Sequence, residues 1–174
     1  VNGVRLNIQA AGVIRTAFNE LIADVKAMRP DATITGVTLE PMVNRAHGRE
    51  TMVGVVRDPV FGPAISFGAG GTTVEVMHDS FVSLPPLNRF IAGQTIERTR
   101  INRLLGAFRN MPPVNREALE NVLLRVSELV CELPHVVEMD INPLIVDEHG
   151  AIVVDARMTV ARPAHATRPY AHMA

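Results

Sequence analysis

The chain has 174 residues, the size of one ordinary domain and too small for two large ones. Seventeen basic residues set against 18 acidic ones leave a net charge of -1, which excludes a strongly basic nucleic-acid binder and an acidic solvating tail. The residues are 47% apolar but only 4% aromatic, so aliphatic side chains must fill the core, and Lys26 is the one lysine among the 17 basic residues.

Val4–Ile8 alternates and predicts a short strand. From Ala10 to Met28 the spacing of Val13, Ala17, Leu21 and Val25, widened by Ile14, Phe18 and Ile22, predicts an amphipathic helix with Lys26 on its outer side. Pro30 ends it, because the residue before a proline avoids the helical region. Ile34–Val43, Glu50–Arg57 and Pro63–Phe67 read as an antiparallel meander, the first run interrupted by Pro41, which has no N–H for a ladder. After Ser80–Leu84 and Pro85-Pro86, Leu87–Thr95 and Ile96–Phe108 predict short helices. Asn115 is the N-cap of a helix over Arg116–Leu133, whose apolar set is Leu119, Val122, Leu123, Val126, Leu129 and Val130. His135–Val146, the turn Asp147–Gly150 and Ala151–Asp155 predict a β-hairpin. From Arg162 the Pro/Ala-rich tail has no periodicity and reads as a linker. This order predicts an α+β fold with a mainly antiparallel sheet flanked by helices.

No apolar run of about 18 residues signals a transmembrane helix, and VNGVRLNI lacks the pattern of a signal peptide. Cys131 has no second cysteine to pair with, which points to a reducing, cytoplasmic setting; its apolar helical context predicts a buried, inert thiol. The six histidines have no zinc-like spacing with cysteine or with one another.

The most informative segment is Glu138-Met139-Asp140-Ile141-Asn142-Pro143-Leu144. On a strand, Glu138, Asp140 and Asn142 share one face. Oxygen donors in a row suit a hard divalent cation such as Mg²⁺, although a solvated sheet face gives the same pattern. Pairing about the Asp147–Gly150 turn places Asp155 opposite Asp140 or Asn142, so adjacent strands offer an amide and a carboxylate to one ion. Gly68-Ala69-Gly70-Gly71-Thr72-Thr73 reads first as a plain tight turn; it also allows backbone N–H groups to approach an anion, but it lacks the Lys-Ser or Lys-Thr of a P-loop and the third glycine of a dinucleotide fingerprint. Glu40-Pro41-Met42-Val43 and Gly48-Arg49-Glu50 read as a strand edge running into a hinge, or as a plain edge and turn.

Glu138–Leu144 followed by Val154-Asp155-Ala156-Arg157 resembles the metal-binding end of an ATP-grasp domain of the kind found in ADP-forming acyl-CoA synthetases and the succinyl-CoA synthetase β subunit. Gly48–Val76, Ser83–Asn88 and the tail Arg168–Ala174 are similar to bacterial fusions of an acyl-CoA synthetase-like region with a GNAT domain, the Pat-type protein lysine acetyltransferases. The resemblance implies that residues 1–161 are the C-terminal portion of an ATP-grasp domain and that 162–174 lead toward a further, GNAT, domain. It implies that Asn142 and Asp155 hold nucleotide-bound Mg²⁺ with Asp140 beside it, that Glu40 and Val43 form the hinge at the base, and that Glu50 lies at the nucleotide. Gly70 and Gly71 lie near the point of phosphate transfer in this resemblance, and Arg157 touches phosphate where lysine is the commoner type. The implied chemistry is phosphoryl transfer between ATP/ADP and a phosphohistidine or acyl phosphate, coupled to an acyl-CoA thioester. Its phosphate-contacting lysine is expected just before Val1, so the 174 residues alone are expected to make no thioester. The implied partners are nucleotide, CoA-binding domains of a parent chain and a second copy of that chain, with neither nucleic acid nor membrane. The alternative is a non-catalytic domain that senses acyl-CoA and regulates an acetyltransferase.

Overall fold

The computed structural model describes residues 2–71 and 79–162. The chain divides into two units, Val1–Asn44 and Arg45–Ala174.

The first unit is built on one helix, α1 (Ala11–Met28). Arg29 closes it by donating its backbone N–H to the Val25 carbonyl at 2.8 Å, and Pro30 follows. Arg5 pairs with Asp24 and ties the extended lead-in to the helix. Lys26 is exposed. The two strands expected here, Val4–Ile8 and Ile34–Val43, are not formed. Alternation makes a segment suitable for a sheet, but a strand exists only when a ladder partner meets its N–H and C=O groups, and neither segment has one. Asn7, at φ +58°, also breaks the extended conformation of the first.

The second unit carries a six-stranded antiparallel sheet, with β1 (Arg49–Asp58), β2 (Gly62–Ala69) and β3 (Ser80–Ser83) forming the meander. β4 (Val136–Val146) pairs with β1 on one side and with β5 (Ala151–Val153) and β6 (Ala156–Val160) on the other. Alternation decides the faces. Val53 and Val55 of β1, Ile65 and Phe67 of β2, and Met139 and Ile141 of β4 are buried, and the register sets Val53 against both Phe67 and Ile141.

The expected hairpin strand Ala151–Asp155 stops at Val153, and β6, which the sequence analysis left out, begins at Ala156. Pro143 accounts for the gap, because it has no N–H to give the partner strand. The register holds across the interruption: Val154 N–H donates to the Pro143 carbonyl at 3.0 Å, and Asn142 N–H donates to the Asp155 carbonyl at 3.1 Å.

Helices α2 (Arg89–Glu97), α3 (Asn102–Leu105) and α4 (Arg116–Glu132) cover the buried face of the sheet. Asn88 and Asn115 cap α2 and α4 by accepting from Ile91 N–H and Ala118 N–H, each at 2.9 Å. The break between α2 and α3 falls at Arg98–Ile101, inside the expected Ile96–Phe108 helix. Its cause is Asp79, whose buried carboxylate accepts from Arg100 N–H at 2.7 Å and Ile101 N–H at 2.6 Å. Along α4, Leu119, Leu123, Val126 and Val130 enter the core, while Cys131 is half-buried rather than buried. Of the expected linker, only Arg162 lies within the described residues.

Arg57 closes α4. Its guanidinium donates to the carbonyls of Val130 at 3.1 Å and Val136 at 2.9 Å. Arg57→Ala leaves these acceptors without their charged donor and is expected to cost about 2 kcal/mol, read from the urea midpoint.

Candidate functional site

The face of the sheet turned away from the helices holds the oxygen donors. Glu138 and Asp140 are exposed and Asn142 is half-buried, while Met139 and Ile141 between them point into the core. Glu50 and Val56 of β1 are exposed on the same face, and Gly54 of β1 lies directly across from Asp140. The period of two thus sorts the carboxylates from the core as the alternation predicts.

The end of β2 ties this face together. Gly70 N–H donates to the Glu50 carbonyl at 2.9 Å, and Gly71 N–H donates to Asn142 Oδ1 at 2.8 Å. A Cβ at Gly70 would overlap the Thr51 backbone, and one at Gly71 would overlap the Glu50 carboxylate. Gly71 also has φ +65°, a conformation that favours glycine. Both glycine N–H groups are therefore engaged within the protein. Through these bonds the loop orients Asn142 and admits Glu50 beside it. Thr72 and Thr73 of that loop lie outside the described residues.

On the other side of Asn142 stands Asp155, held by the backbone bond from Asn142 N–H to the Asp155 carbonyl at 3.1 Å. Of the two expected neighbours, Asn142 is the one opposite Asp155. Asp140 is set against Arg157, whose Nε lies 3.8 Å from Asp155 Oδ2. Glu50, Gly70, Gly71, Asp140, Asn142, Asp155 and Arg157 thus form one linked group across β1, the end of β2, β4 and β6. Glu40 and Val43 lie in the first unit, on the irregular segment before Asn44, with Glu40 exposed and Val43 half-buried.

This donor set suits Mg²⁺. Asn142 Oδ1 accepts the Gly71 N–H and keeps a second lone pair, and the Asp140 and Asp155 carboxylates are exposed hard donors. Among the described residues no group of three or more His, Cys, Asp or Glu is placed to hold an ion by itself. A site of one carboxylate and one amide leaves most coordination positions to phosphate oxygens and water, as Mg²⁺ prefers.

The sequence analysis missed the support behind Glu50. Arg49 is 6% exposed, and its guanidinium donates to the carbonyls of His47 at 2.6 Å, Leu104 at 3.1 Å and Pro112 at 2.6 Å. The signal was available: alternation puts residue 49 in phase with Thr51 and Val53 on the inner face. The expected turn Asp147–Gly150 forms between β4 and β5, but the bonds its side chains make were not foreseen. Asp147 Oδ1 accepts from His149 N–H at 2.9 Å and Gly150 N–H at 3.0 Å, while Oδ2 accepts from Arg45 at 2.9 Å. Burial pushes the Asp147 carboxyl up, but these donors together hold it below the usual range. His47 Nδ1 lies 2.9 Å from Glu148 Oε1, which holds the Glu148 carboxyl below its usual range.

The ATP-grasp domain family matches residues 1–160. The β subunit of ADP-forming acetate–CoA ligase I from Pyrococcus furiosus is 40% identical over 156 residues, 90% of this chain and 66% of that protein. ADP-forming acetate–CoA ligase I from Archaeoglobus fulgidus is 40% identical over 160 residues, 92% of this chain and 23% of that protein. The chain therefore spans just under two thirds of one relative and less than a quarter of the other. Among solved structures, acetyl-coenzyme A synthetase 1 of Ca. Korarchaeum cryptofilum, in complex with coenzyme A, Ca-AMPCP and HgCl⁺, is similar with a TM-score of 0.81 at 36% identity, over 92% of this chain and 69% of that one. The same enzyme with coenzyme A and Mg-AMPPCP gives a TM-score of 0.75 at 32% identity, over 91% of this chain and 68% of that one.

Proposed function

Because the chain belongs to the ATP-grasp domain family, we propose that it is the magnesium- and nucleotide-binding portion of an ADP-forming acyl-CoA synthetase, acetyl-CoA synthetase in type, whose phosphoryl transfer is coupled to thioester formation. The observation that carries this reading is Asn142 beside Asp155 on paired strands, with Asn142 oriented by the Gly71 N–H. In this reading Asn142 Oδ1 and the Asp155 carboxylate hold Mg²⁺, with Asp140 beside them. When bound, the ion neutralises charge on the phosphate oxygens. Arg157 offers its planar fork to a phosphate, and Glu50 lies against the nucleotide at the start of β1. Gly70 and Gly71 serve the transfer point by fixing Glu50 and Asn142. Glu40 and Val43 meet the base from the segment before Asn44. CoA and the phosphohistidine or acyl phosphate belong to other parts of the full-length protein. The single cysteine, Cys131, supports a cytoplasmic setting.

The test is ATP-dependent acyl-CoA formation by the full-length protein with acetate, CoA and Mg²⁺. Thioester and ADP appearing together are expected. A second reading, favoured by the similarity of Gly48–Val76 and Ser83–Asn88 to acetyltransferase fusions, makes the region a sensor of acyl-CoA beside a GNAT domain. It expects nucleotide or acyl-CoA binding without turnover and acetyl transfer to a protein lysine.

A further inference from the structure

We propose that Asp79 is a positioning residue for the metal-binding amide, tying the glycine turn that holds Asn142 and Glu50 to the helices behind the sheet. This rests on the nucleotide site proposed above, in which Asn142 holds the ion and Glu50 lies at the nucleotide. All the groups involved belong to the second unit.

Asp79 stands one residue before β3, and its backbone carries the pairing of β2 with β3 one bond further. Ala69 N–H donates to the Asp79 carbonyl at 3.2 Å, just past the last ladder pair, Gly68 with Ser80. The approach is close, because a Cβ at Gly68 would overlap that carbonyl. The side chain turns toward the helices. Phe81 of β3 lies opposite the buried Phe67, so Asp79, two residues earlier, shares the inner face. Asp79 is 8% exposed there, and its carboxylate accepts from Arg100 N–H through Oδ1 and from Ile101 N–H through Oδ2. These two bonds fix where the Asp79 carbonyl stands. One residue thus joins the end of β2 to the break between α2 and α3.

Beyond Ala69 the chain enters the site. The next two N–H groups are those of Gly70 and Gly71, which donate to the Glu50 carbonyl and to Asn142 Oδ1. Three successive N–H groups, from Ala69 to Gly71, are therefore fixed in turn to Asp79, to β1 and to β4. The last of them sets the plane of the Asn142 amide, so the direction of the lone pair left for the ion follows the position of the turn. Without the Asp79 carboxylate the turn is released at its near end, and Gly71 holds Asn142 from a looser backbone.

Capping a helix does not by itself account for Asp79. A helix is ordinarily capped by the side chain just before it, and α3 has Ile101 there, with no side-chain oxygen. The acceptor comes instead from 21 and 22 positions away. It places a carboxylate among buried groups, which costs free energy unless its hydrogen bonds are made. Asp79 makes them at the one place where the same residue also meets the chain leading into Gly70 and Gly71.

The test separates local from global loosening in the full-length protein. Asp79→Asn keeps the shape but turns an amide N–H toward one of the two backbone donors. Ser127→Ala is the control. Ser127 is also buried, and its Oγ accepts Leu87 N–H at 2.8 Å, a bond that joins α4 to the chain before α2 and includes no residue of the turn. Both variants are expected to lower the urea midpoint. In Asp79→Asn alone, hydrogen exchange over Ala69–Gly71 is expected to rise about tenfold beyond that of the amides in the middle of β1. Mg-ADP is expected to bind it about tenfold more weakly, the lower end of what residues behind metal ligands contribute. Asp79→Ser, smaller and accepting through one oxygen, carries the same expectation if the amide variant does not fold. Exchange and affinity that follow the midpoint alike in the Asp79 and Ser127 variants overturn the proposal. Faster exchange of the turn with unchanged affinity also overturns it and leaves the nucleotide site standing. A wild-type protein that binds no Mg-nucleotide overturns both.

Discussion

Asp155→Ala in the full-length protein is expected to weaken Mg-nucleotide binding about a hundredfold, at the upper end of what even indirect metal partners contribute. The substitution removes the carboxylate paired across the ladder from Asn142 and leaves Arg157 without its neighbour at 3.8 Å. Asp140 does not replace it, because it stands across the ladder from Arg157 rather than from Asn142. Asn142→Ala is expected to be comparably damaging for two reasons. It deletes the amide oxygen, and it leaves the Gly71 N–H without its 2.8 Å acceptor, so the loop beside Glu50 loses its tether. Both side chains lie outside the hydrophobic core, so the variants are expected to unfold near the wild-type midpoint. Titration calorimetry reads the affinity directly, and equal affinity in folded variants removes the assignment of these two residues.

Gly70→Ala is expected to be among the most destabilising single-methyl additions in the second unit, at about 3 kcal/mol, the upper end for overpacking. The new Cβ meets the backbone of Thr51, which has no flexible end to move. Thr51 is fully buried, its hydroxyl donates to the Leu144 carbonyl at 2.9 Å, and it pairs with Leu144 in the ladder. A shift there displaces β1 against β4 at the level of Glu50 and Asn142, so nucleotide affinity should fall together with stability. Gly12→Ala makes the opposite control. Gly12 lies in α1, a Cβ there meets nothing within 4 Å, and alanine should favour the helix by about 1 kcal/mol. A urea midpoint for Gly70→Ala within about 1 kcal/mol of wild type contradicts the close packing of the glycine turn on β1.

The residues that were legible in the sequence are those whose placement follows from a short-range rule. Glu138, Asp140 and Asn142 share a face because a strand alternates, and Asp155 meets Asn142 because a short turn fixes the register of the strands it joins. Asn115 and Asn88 cap helices by local geometry alone. The misreadings share a different cause. Val4–Ile8 and Ile34–Val43 alternate well, but alternation says nothing about whether a neighbouring strand is present to pair with. β6 was overlooked because Pro143, a residue of the partner strand, interrupts the ladder opposite Val154 and divides one edge into two short pieces. At the glycine loop, the Gly70 and Gly71 N–H groups donate to the Glu50 carbonyl and to Asn142 Oδ1, pairings between distant residues that glycine content alone does not reveal. The grip of Asp147 and Glu148 on Arg45 and His47 joins residues about a hundred positions apart, beyond the reach of any local pattern.

The central claim is that Asn142 and Asp155 share a divalent ion with the nucleotide. Crystals of the full-length protein with Mn²⁺ and a non-hydrolysable ATP analogue test it most directly, because manganese is located by its anomalous signal. An anomalous peak about 2.1 Å from both Asn142 Oδ1 and an Asp155 carboxylate oxygen is the predicted result. A nucleotide bound with its metal away from both residues contradicts the account.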